Sequence, residues 1–169
     1  MIAEIISIGD ELTSGQRLDT NSQWLSQQLG DLGVAVHYHT TVADSLAANV
    51  DVFRSAIARA DVVLENFRPG TMERLCFGYD SLRKTNPRLV YCSITGFGES
   101  GPEASRPGYD LIVKGESGVM DLTGFADGPP VKVGNSIADP VAGLSAAHGS
   151  TLALPSRARR GKGQKVEIG

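Results

Sequence analysis

The chain has few of the residues that would mark it as secreted or metal-binding. Only two cysteines are present, Cys76 and Cys92, which are too few for a disulfide framework and lack the C-x-x-C spacing of redox or metal motifs. We expect both to be reduced thiols packed in the interior. His37, His39 and His148 show no ligand spacing with cysteines or carboxylates, so the sequence predicts no metal site.

Long apolar runs and an excess of one charge are also missing. No run approaches the roughly 18 residues that span a bilayer, and no signal-peptide pattern opens the sequence. We therefore expect a cytoplasmic protein with no membrane partner. The 16 basic and 19 acidic residues give a net charge of −3, which offers no electrostatic reason to expect nucleic acid. The basic run at 157–165 lacks interleaved aromatic residues and is expected to be a solvated hairpin.

The first part of the chain alternates short apolar runs with segments of helical period. Thr20 is a candidate N-cap and Gly33 a candidate C-cap for the first helix. The order is typical of a parallel, doubly wound sheet with right-handed crossovers. The predicted strands are 3–8, 34–42 and 61–64, and the predicted helices are 21–32 and 43–60.

The rest of the chain continues this alternation around a long Gly/Pro-rich loop at 96–108, and long loops are often functional. At 169 residues the chain is long enough to bury one sizeable core. We expect a single three-layer α/β/α Rossmann-like domain over residues 1–169, with a mainly parallel and continuous sheet. The further predicted helices are 71–86, 109–122 and 139–154, and the further predicted strands are 88–94 and 165–168.

Motifs in residues 1–63 resemble the start of a CinA-type domain, which has the molybdopterin-binding fold. They are AEIISIGDEL at 3–12, SGQ at 14–16 and DTNS at 19–22. The resemblance implies that Asp10, Glu11, Asp19 and Asn21 lie on one side of a pocket for a nucleotide-like or pterin-like ligand. The alternative is a solvated loop followed by a helix cap. The family's Gly-Gly-Leu-Gly-Pro-Thr loop does not follow the third strand here, where ENFRPG stands at 65–70.

Residues 60–169 are similar to the family III CoA-transferases, the formyl-CoA transferase and CaiB/BaiF group. The two resemblances meet at 60–63 inside equivalent strands, so the chain is interpreted as a chimera whose halves share one β-α order. The motifs that carry the second resemblance are ENFRPG at 65–70, NPRL at 86–89, SITGFG at 93–98, RPGYD at 106–110, GPP at 128–130 and GKGQ at 161–164.

The second resemblance implies two catalytic residues. Asp139 aligns with the carboxylate that attacks the acyl-CoA thioester to give a mixed anhydride and then an aspartyl-CoA thioester. Tyr109 stands where the transferases carry tyrosine. From residue types alone, Asp139 followed by Pro140 is also a common helix start with Asp as N-cap. The alternative for Tyr109 is a loop tyrosine half-buried against Phe97.

The same resemblance implies a groove for coenzyme A or an acyl-CoA. Asn66, Phe67 and Arg74 match positions that line the nucleotide part of that groove, with ordinary surface packing as the alternative. The glycine-containing loop is the remaining candidate, since glycine lets backbone approach a ligand closely. Its candidate residues are Gly96, Phe97 and Gly98.

Three functions remain open at this point. The first is a chimeric fragment related to the CoA-transferases that retains weak CoA or acyl-CoA binding. The second is an engineered or naturally fused chimera without enzymatic activity, and the third is a nucleotide-binding module of CinA type. We expect no CoA transfer above background. Because family members form interlocked dimers, we expect a homo-oligomer.

Overall fold

The computed structural model describes residues 2–31, 33–124 and 126–169. Helices and strands alternate along most of the chain, as the sequence predicts. The strands are β1 (Ile2–Ile8), β2 (Ala35–Val42), β3 (Val62–Glu65), β4 (Val90–Ile94) and β5 (Lys165–Ile168). The helices are α1 (Asp10–Thr13), α2 (Thr20–Asp31), α3 (Leu46–Ile57), α4 (Thr71–Arg74), α5 (Tyr79–Thr85), α6 (Asp110–Glu116) and α7 (Ala138–Arg160).

The strands confirm the predicted α/β class with parallel sheets, but not one continuous sheet. Over the described ranges, β1 pairs in parallel with β2 in a two-stranded sheet, and a second sheet has the order β3-β4-β5. In the second sheet β5 pairs in parallel with β4. The expectation that β1 is a buried strand in a sheet shared with β4 is wrong. Every β1 residue with a described side chain is partly exposed, because its sheet has only two strands.

The chain forms two compact units. The first contains the chain up to Val63 together with Glu73–Leu89, and the second contains Leu64–Met72 and Val90–Gly169. In the first unit, Phe53 of α3 meets Phe77 with ring centroids 5.2 Å apart. The side chain of Asn86 donates a hydrogen bond of 3.1 Å to the carbonyl of Ala60. Residues from the transferase-like part of the sequence thus complete the core around the CinA-like helix α3.

The predicted helix over 71–86 is two short helices instead. Cys76 adopts a left-handed backbone with φ of 64°, and its N–H bonds the carbonyl of Glu73, so α4 ends there. Gly78 is extended and precedes α5. Both cysteines are unpaired, but Cys76 is exposed, so the expectation that it packs in the interior is wrong. The break follows from a backbone conformation that composition does not reveal.

The second unit is built on the buried strand β4. Val90 and Cys92 are fully buried, and α7 packs against both β4 and β5. The helix lies close to the sheet, because a Cβ added to Gly149 would lie 2.7 Å from Cγ1 of Val166. Burial raises the pKa of the Cys92 thiol, and the charge of Glu65 adds to this, against a hydrogen bond with Ser150 that lowers it.

Two helix boundaries in the second unit differ from the predictions. Helix α6 is shorter than expected and begins after Tyr109. Helix α7 continues through Pro155 and ends at Gly161, which has a left-handed φ of 72°. The predicted hairpin over 157–165 is therefore wrong, because its first four residues are the last turn of α7. Arginines in the last turn stabilise a helix, because their positive charges lie near the negative end of the helix dipole.

The first unit corrects one predicted helix cap. The carboxylate of Asp19, rather than Thr20, accepts the Ser22 N–H at 2.9 Å and the Ser22 hydroxyl at 2.6 Å. Gly33 has the positive φ of 76° that a C-cap needs, while the predicted end of the helix at Leu32 lies outside the described residues. Within the described part of the chain, none of the helices has both the length and the apolar character needed to cross a membrane.

Candidate functional site

A cavity of about 560 Å³ lies in the second unit at the carboxyl ends of its strands. Its walls include the last residues of β4 and β5, the loop that follows β3, and the starts of α6 and α7. Ligands of parallel α/β sheets bind at this end of the strands. Of the residues named from the sequence, five line the cavity: Asn66, Phe67, Gly96, Tyr109 and Asp139.

Asp139 lies in the first turn of α7 and is exposed at the cavity. The interpretation of this residue as the N-cap is wrong, since Ile137 occupies that position and no side chain of the cap residue bonds the helix. The Asp139 side chain is therefore not used to cap the helix.

The carboxylate of Asp110 supports the start of α7 in place of a cap residue. It accepts the N–H of Ala138 at 2.9 Å and forms a 2.5 Å ion pair with Lys114, whose side chain is only 1% exposed. Burial acts to raise the pKa of Asp110, but the Lys114 hydrogen bond, the Ala138 N–H and the Lys114 charge outweigh it, so the pKa lies below its ordinary value.

Sequence reasoning missed this pair of residues. Asp110 was visible as the last residue of the RPGYD motif, but nothing in its residue type distinguished it from a solvated carboxylate. Lys114 gave no signal at all, because lysine is rarely buried and its position in a helix predicts a solvent-exposed ammonium.

Two glycines close the loop that carries Tyr109. A Cβ added to Gly96 would lie 2.2 Å from the Cα of Gly108, which only two residues without side chains allow. Tyr109 follows directly and is 62% exposed at the cavity. The alternative of a tyrosine half-buried against Phe97 is wrong, and the guanidinium of Arg106 lies over the Phe97 ring, 4.8 Å from its centroid.

Glu65 holds the loop that contributes Asn66 and Phe67 to the cavity. Its carboxylate accepts the Phe67 N–H at 2.8 Å and the Ser93 hydroxyl at 2.5 Å. The last residue of β3 is thereby tied both to the loop and to β4. From the sequence, Glu65 was known only as the first residue of the ENFRPG motif, with no predicted role.

Three residues named for coenzyme A binding lie elsewhere. Phe97 and Gly98 are not among the residues that line the cavity, although they neighbour Gly96 in sequence. Gly98 has a φ of 79° and lies beside the Glu167 side chain. Arg74 belongs to the first unit and does not line the cavity.

Two candidate acidic residues of the CinA-like half, Asp10 and Asp19, accept hydrogen bonds within the first unit. Asp10 accepts the N–H of Asp44 at 3.0 Å. Asp19 binds the hydroxyl groups of Ser7 and Ser22, and these bonds lower the pKa of Asp19, those from Ser22 and Ser7 being the strongest causes. The side chain of Asn21 lies outside the described part of the structure. These contacts match the alternative of a loop and helix cap.

Comparison with known protein families gives two matches along the chain. Residues 42–169 match the family described as CoA-transferase family III, and residues 4–66 match the one described as a probable molybdopterin binding domain. The matches overlap at 42–66, a range that contains the join expected at 60–63. Both resemblances stated from the sequence motifs are confirmed.

Individual relatives of the chain are named as CoA-transferases. An acetyl-CoA:oxalate CoA-transferase of Acetobacter aceti is 48% identical over 118 residues, 69% of this chain and 30% of the relative. A succinate–glutarate CoA-transferase of Agrobacterium fabrum is 41% identical over 142 residues, 79% of this chain and 36% of the relative. The chain therefore spans about a third of the length of these relatives.

A solved structure resembles nearly the whole chain. The CaiB/BaiF family protein from Brucella suis superposes with a TM-score of 0.76 and 32% identity, covering 96% of this chain and 50% of that protein. The arrangement of helices and strands described above thus has a counterpart in a protein of known structure.

Proposed function

Since the chain belongs to CoA-transferase family III, we propose that the cavity of its second unit binds the thioester end of an acyl-CoA. The observation that carries the proposal is the convergence of Asp139, Tyr109, Gly96 and the Asn66–Phe67 loop on one cavity. Its volume of about 560 Å³ suits a small acyl group with the adjoining pantetheine, within the range of about 300–1,000 Å³ typical of ligand sites.

Asp139 is the group proposed to face the thioester. One oxygen of its carboxylate would attack the thioester carbonyl carbon, and the carbon–sulfur bond would break to release CoA as the thiolate. The products of this step are a mixed anhydride on Asp139 and free thiolate. Attack of that thiolate on the aspartyl carbonyl would release the acid and leave an aspartyl-CoA thioester, so atoms and charge balance.

The other lining residues have supporting roles in this proposal. The exposed Tyr109 supplies an aromatic face and a hydroxyl donor beside the acyl group. Phe67 supplies apolar cover, and Asn66 offers amide donors and acceptors to the pantetheine chain. The relatives that match this part of the chain are named for acetyl, oxalate, succinate and glutarate, which supports a small carboxylic acid as the acyl group.

Calorimetric titration with acetyl-CoA tests the binding part of the proposal. We expect heat of binding from the wild-type chain and from Asp139→Asn, which keeps the shape of the side chain. We expect weaker binding from Phe67→Ala and Tyr109→Ala, by about tenfold for the loss of an aromatic face that the ligand would cover. The control is Trp24→Ala, which removes an exposed aromatic residue of the first unit that does not line the cavity. Absence of binding by the wild-type chain would overturn the proposal.

Turnover is a separate question, and we expect none above background from the 169-residue chain. Three of the residues proposed for coenzyme A do not line the cavity, and misplacement of about 1 Å can cost on the order of a hundredfold in rate. A thioester-exchange assay with acetyl-CoA and labelled acetate measures this. Exchange that disappears in Asp139→Ala would show that the chain is an active transferase.

A further inference from the structure

Lys114 is a buried ammonium whose hydrogen bonds are all made inside the second unit. Its side chain is 1% exposed, and its nitrogen contacts a carboxylate oxygen of Asp110 at 2.5 Å. The same nitrogen donates to the carbonyl of Asn135 at 2.8 Å and to that of Val133 at 3.4 Å. An ammonium has three N–H donors, so these acceptors account for its full capacity. Burial of a charge is tolerated only with this degree of pairing.

The acceptors of Lys114 belong to the segment that leads into α7. Val133 and Asn135 precede the helix by a few residues, and the other oxygen of Asp110 accepts the N–H of Ala138 at 2.9 Å. A continuous path of bonds therefore runs from Lys114 through Asp110 to Ala138. The next residue in the chain is Asp139. Both Lys114 and Asp110 also line the cavity.

We propose that Lys114 is a positioning residue, which fixes the segment 133–138 and thereby sets the place of the Asp139 carboxylate in the cavity wall. The inference rests on the proposed function for the identity of the ligand, but the bonds that carry it are independent of any ligand. Lys114 acts through Asp110 and the backbone, and it does not itself contact the thioester.

Removing the ammonium should release the segment. In Lys114→Met the side chain keeps its approximate length, but the carbonyls of Val133 and Asn135 lose their donor and Asp110 loses its ion pair. Asp110 then faces a partly buried site without a counter-charge, which weakens its hold on the Ala138 N–H. Lys114→Gln restores two neutral donors, enough for Asp110 and one carbonyl.

Amide hydrogen exchange measures this release without a ligand. We expect the Ala138 amide to exchange at least about tenfold faster in Lys114→Met than in the wild type, because the segment opens more often. Lys114→Gln should lie between the two. Lys132→Met is the matched control, because it removes an exposed lysine directly before the segment 133–138. Equal exchange in Lys114→Met and Lys132→Met would overturn the proposal.

Affinity for acetyl-CoA and for free CoA gives the second readout. We expect Lys114→Met to weaken acetyl-CoA binding by about tenfold while free CoA changes by less than about threefold, because only the acyl end meets the displaced wall. A wild-type chain that binds no acetyl-CoA would overturn the proposed function, and the exchange of Ala138 would still decide the role of Lys114. Equal loss for both ligands would overturn the positioning role.

Folding of the variants is checked by thermal unfolding. If Lys114→Met does not fold, Lys114→Gln decides by the same two measurements. Faster Ala138 exchange and weaker acetyl-CoA binding than in Lys132→Met would support the proposal, and equality with Lys132→Met in both would overturn it.

Discussion

Gly96 and Gly108 lie so close that neither position has room for a methyl group. A Cβ at Gly96 would lie 2.2 Å from a backbone atom, which cannot move aside as a flexible side chain can. The two glycines join the ends of the loop at 96–108 and so place Tyr109 beside the end of β4. The sequence predicts Gly96 as a ligand contact, and in the structure this residue both lines the cavity and forms the backbone crossing.

Gly96→Ala is therefore expected to destabilise the second unit by roughly 1–3 kcal/mol, the usual cost of overpacking, or more if the loop cannot shift. Gly134→Ala is the matched control, because a Cβ there meets nothing within 4 Å. It should be neutral or slightly stabilising, since alanine restricts the unfolded chain. Denaturant unfolding of both variants measures the difference. Equal stability of the two variants would show that the backbones at Gly96 and Gly108 leave room for a methyl group.

Asp110 should make stability depend on pH in the acid range. Its pKa is lower in the folded chain than its ordinary value of 3.8, so the unfolded chain takes up the proton first as pH falls. The stability contributed by this carboxylate is present above that ordinary value and is lost as pH falls through the folded pKa. We expect the free energy of unfolding to begin to fall below about pH 5 and to go on falling through the folded pKa of Asp110, with a shallower slope in Asp110→Asn.

Urea titrations at several pH values measure these slopes, with Asp121→Asn as a control for the loss of one exposed carboxylate. The Asp110→Asn variant should keep some slope, because the pKa of Asp19 is also lowered. Identical slopes for the wild type and Asp110→Asn would contradict the assignment.

Among the helices, α7 departs furthest from what its sequence predicts. Proline usually ends a helix, which is why the prediction stopped before Pro155, yet the helix continues to Arg160. Its small residues Ala146 and Ala153 are buried, and the close approach of Gly149 to Val166 fixes the helix on the sheet. Tertiary packing of this kind can outweigh the helix propensity of single residues, and it cannot be inferred from that propensity.

Pro155→Ala should stabilise the protein, because it restores a donor for the carbonyl of Thr151 and removes a ring clash in the helix interior. The gain is expected to be at most about 3 kcal/mol, the difference between proline and alanine in a helix. Pro102→Ala in the loop makes the same chemical change outside a helix. It should destabilise the protein slightly, because it raises the conformational entropy of the unfolded chain. Thermal unfolding of both variants measures the signs. A loss of stability in Pro155→Ala would mean that the helix is adapted to the proline.

The types of helices and strands could be predicted where the apolar period and the turn residues agreed. The prediction failed where the backbone conformation or the tertiary packing determined where an element ends. Strands β2, β4 and β5 fall close to their predicted ranges, since short β-rich runs between turn residues have few other interpretations. The break at Cys76 depends on a left-handed backbone, which residue type does not announce. In the site, motif residues such as Asp139 were found, but the buried Lys114 was not.

At the scale of the whole chain, residues from both family-like parts contribute to the core of the first unit. Phe77 and Leu82 come from the transferase-like part and are buried in the unit that contains α3. We still propose that residues 1–169 behave as one folding domain, on the ground that Glu73–Leu89 returns to the first unit and so interleaves the two parts in sequence.

Self-association is expected through the outer face of α7. Leu144 and Leu152 are exposed apolar residues about two turns apart on this helix, and neither lines the cavity, with Leu144 72% exposed. A stable dimer would need to cover at least about 1,000 Å² in total. Sedimentation equilibrium should show a dimer or larger species for the wild type and a monomer for Leu144→Glu. Leu18→Glu, at an exposed leucine of the first unit, is the control. A monomeric wild type at high concentration would contradict the prediction.

Residue-resolved titration tests most directly whether the acyl-CoA site lies in the second unit. Acetyl-CoA is added to ¹⁵N-labelled protein while the amide resonances are followed. We predict shifts concentrated at Gly96, Tyr109, Ala138 and Asp139, with the loop Gly9–Glu11 unchanged. Shifts confined to Gly9–Glu11, or no shifts at saturating ligand, would contradict the account.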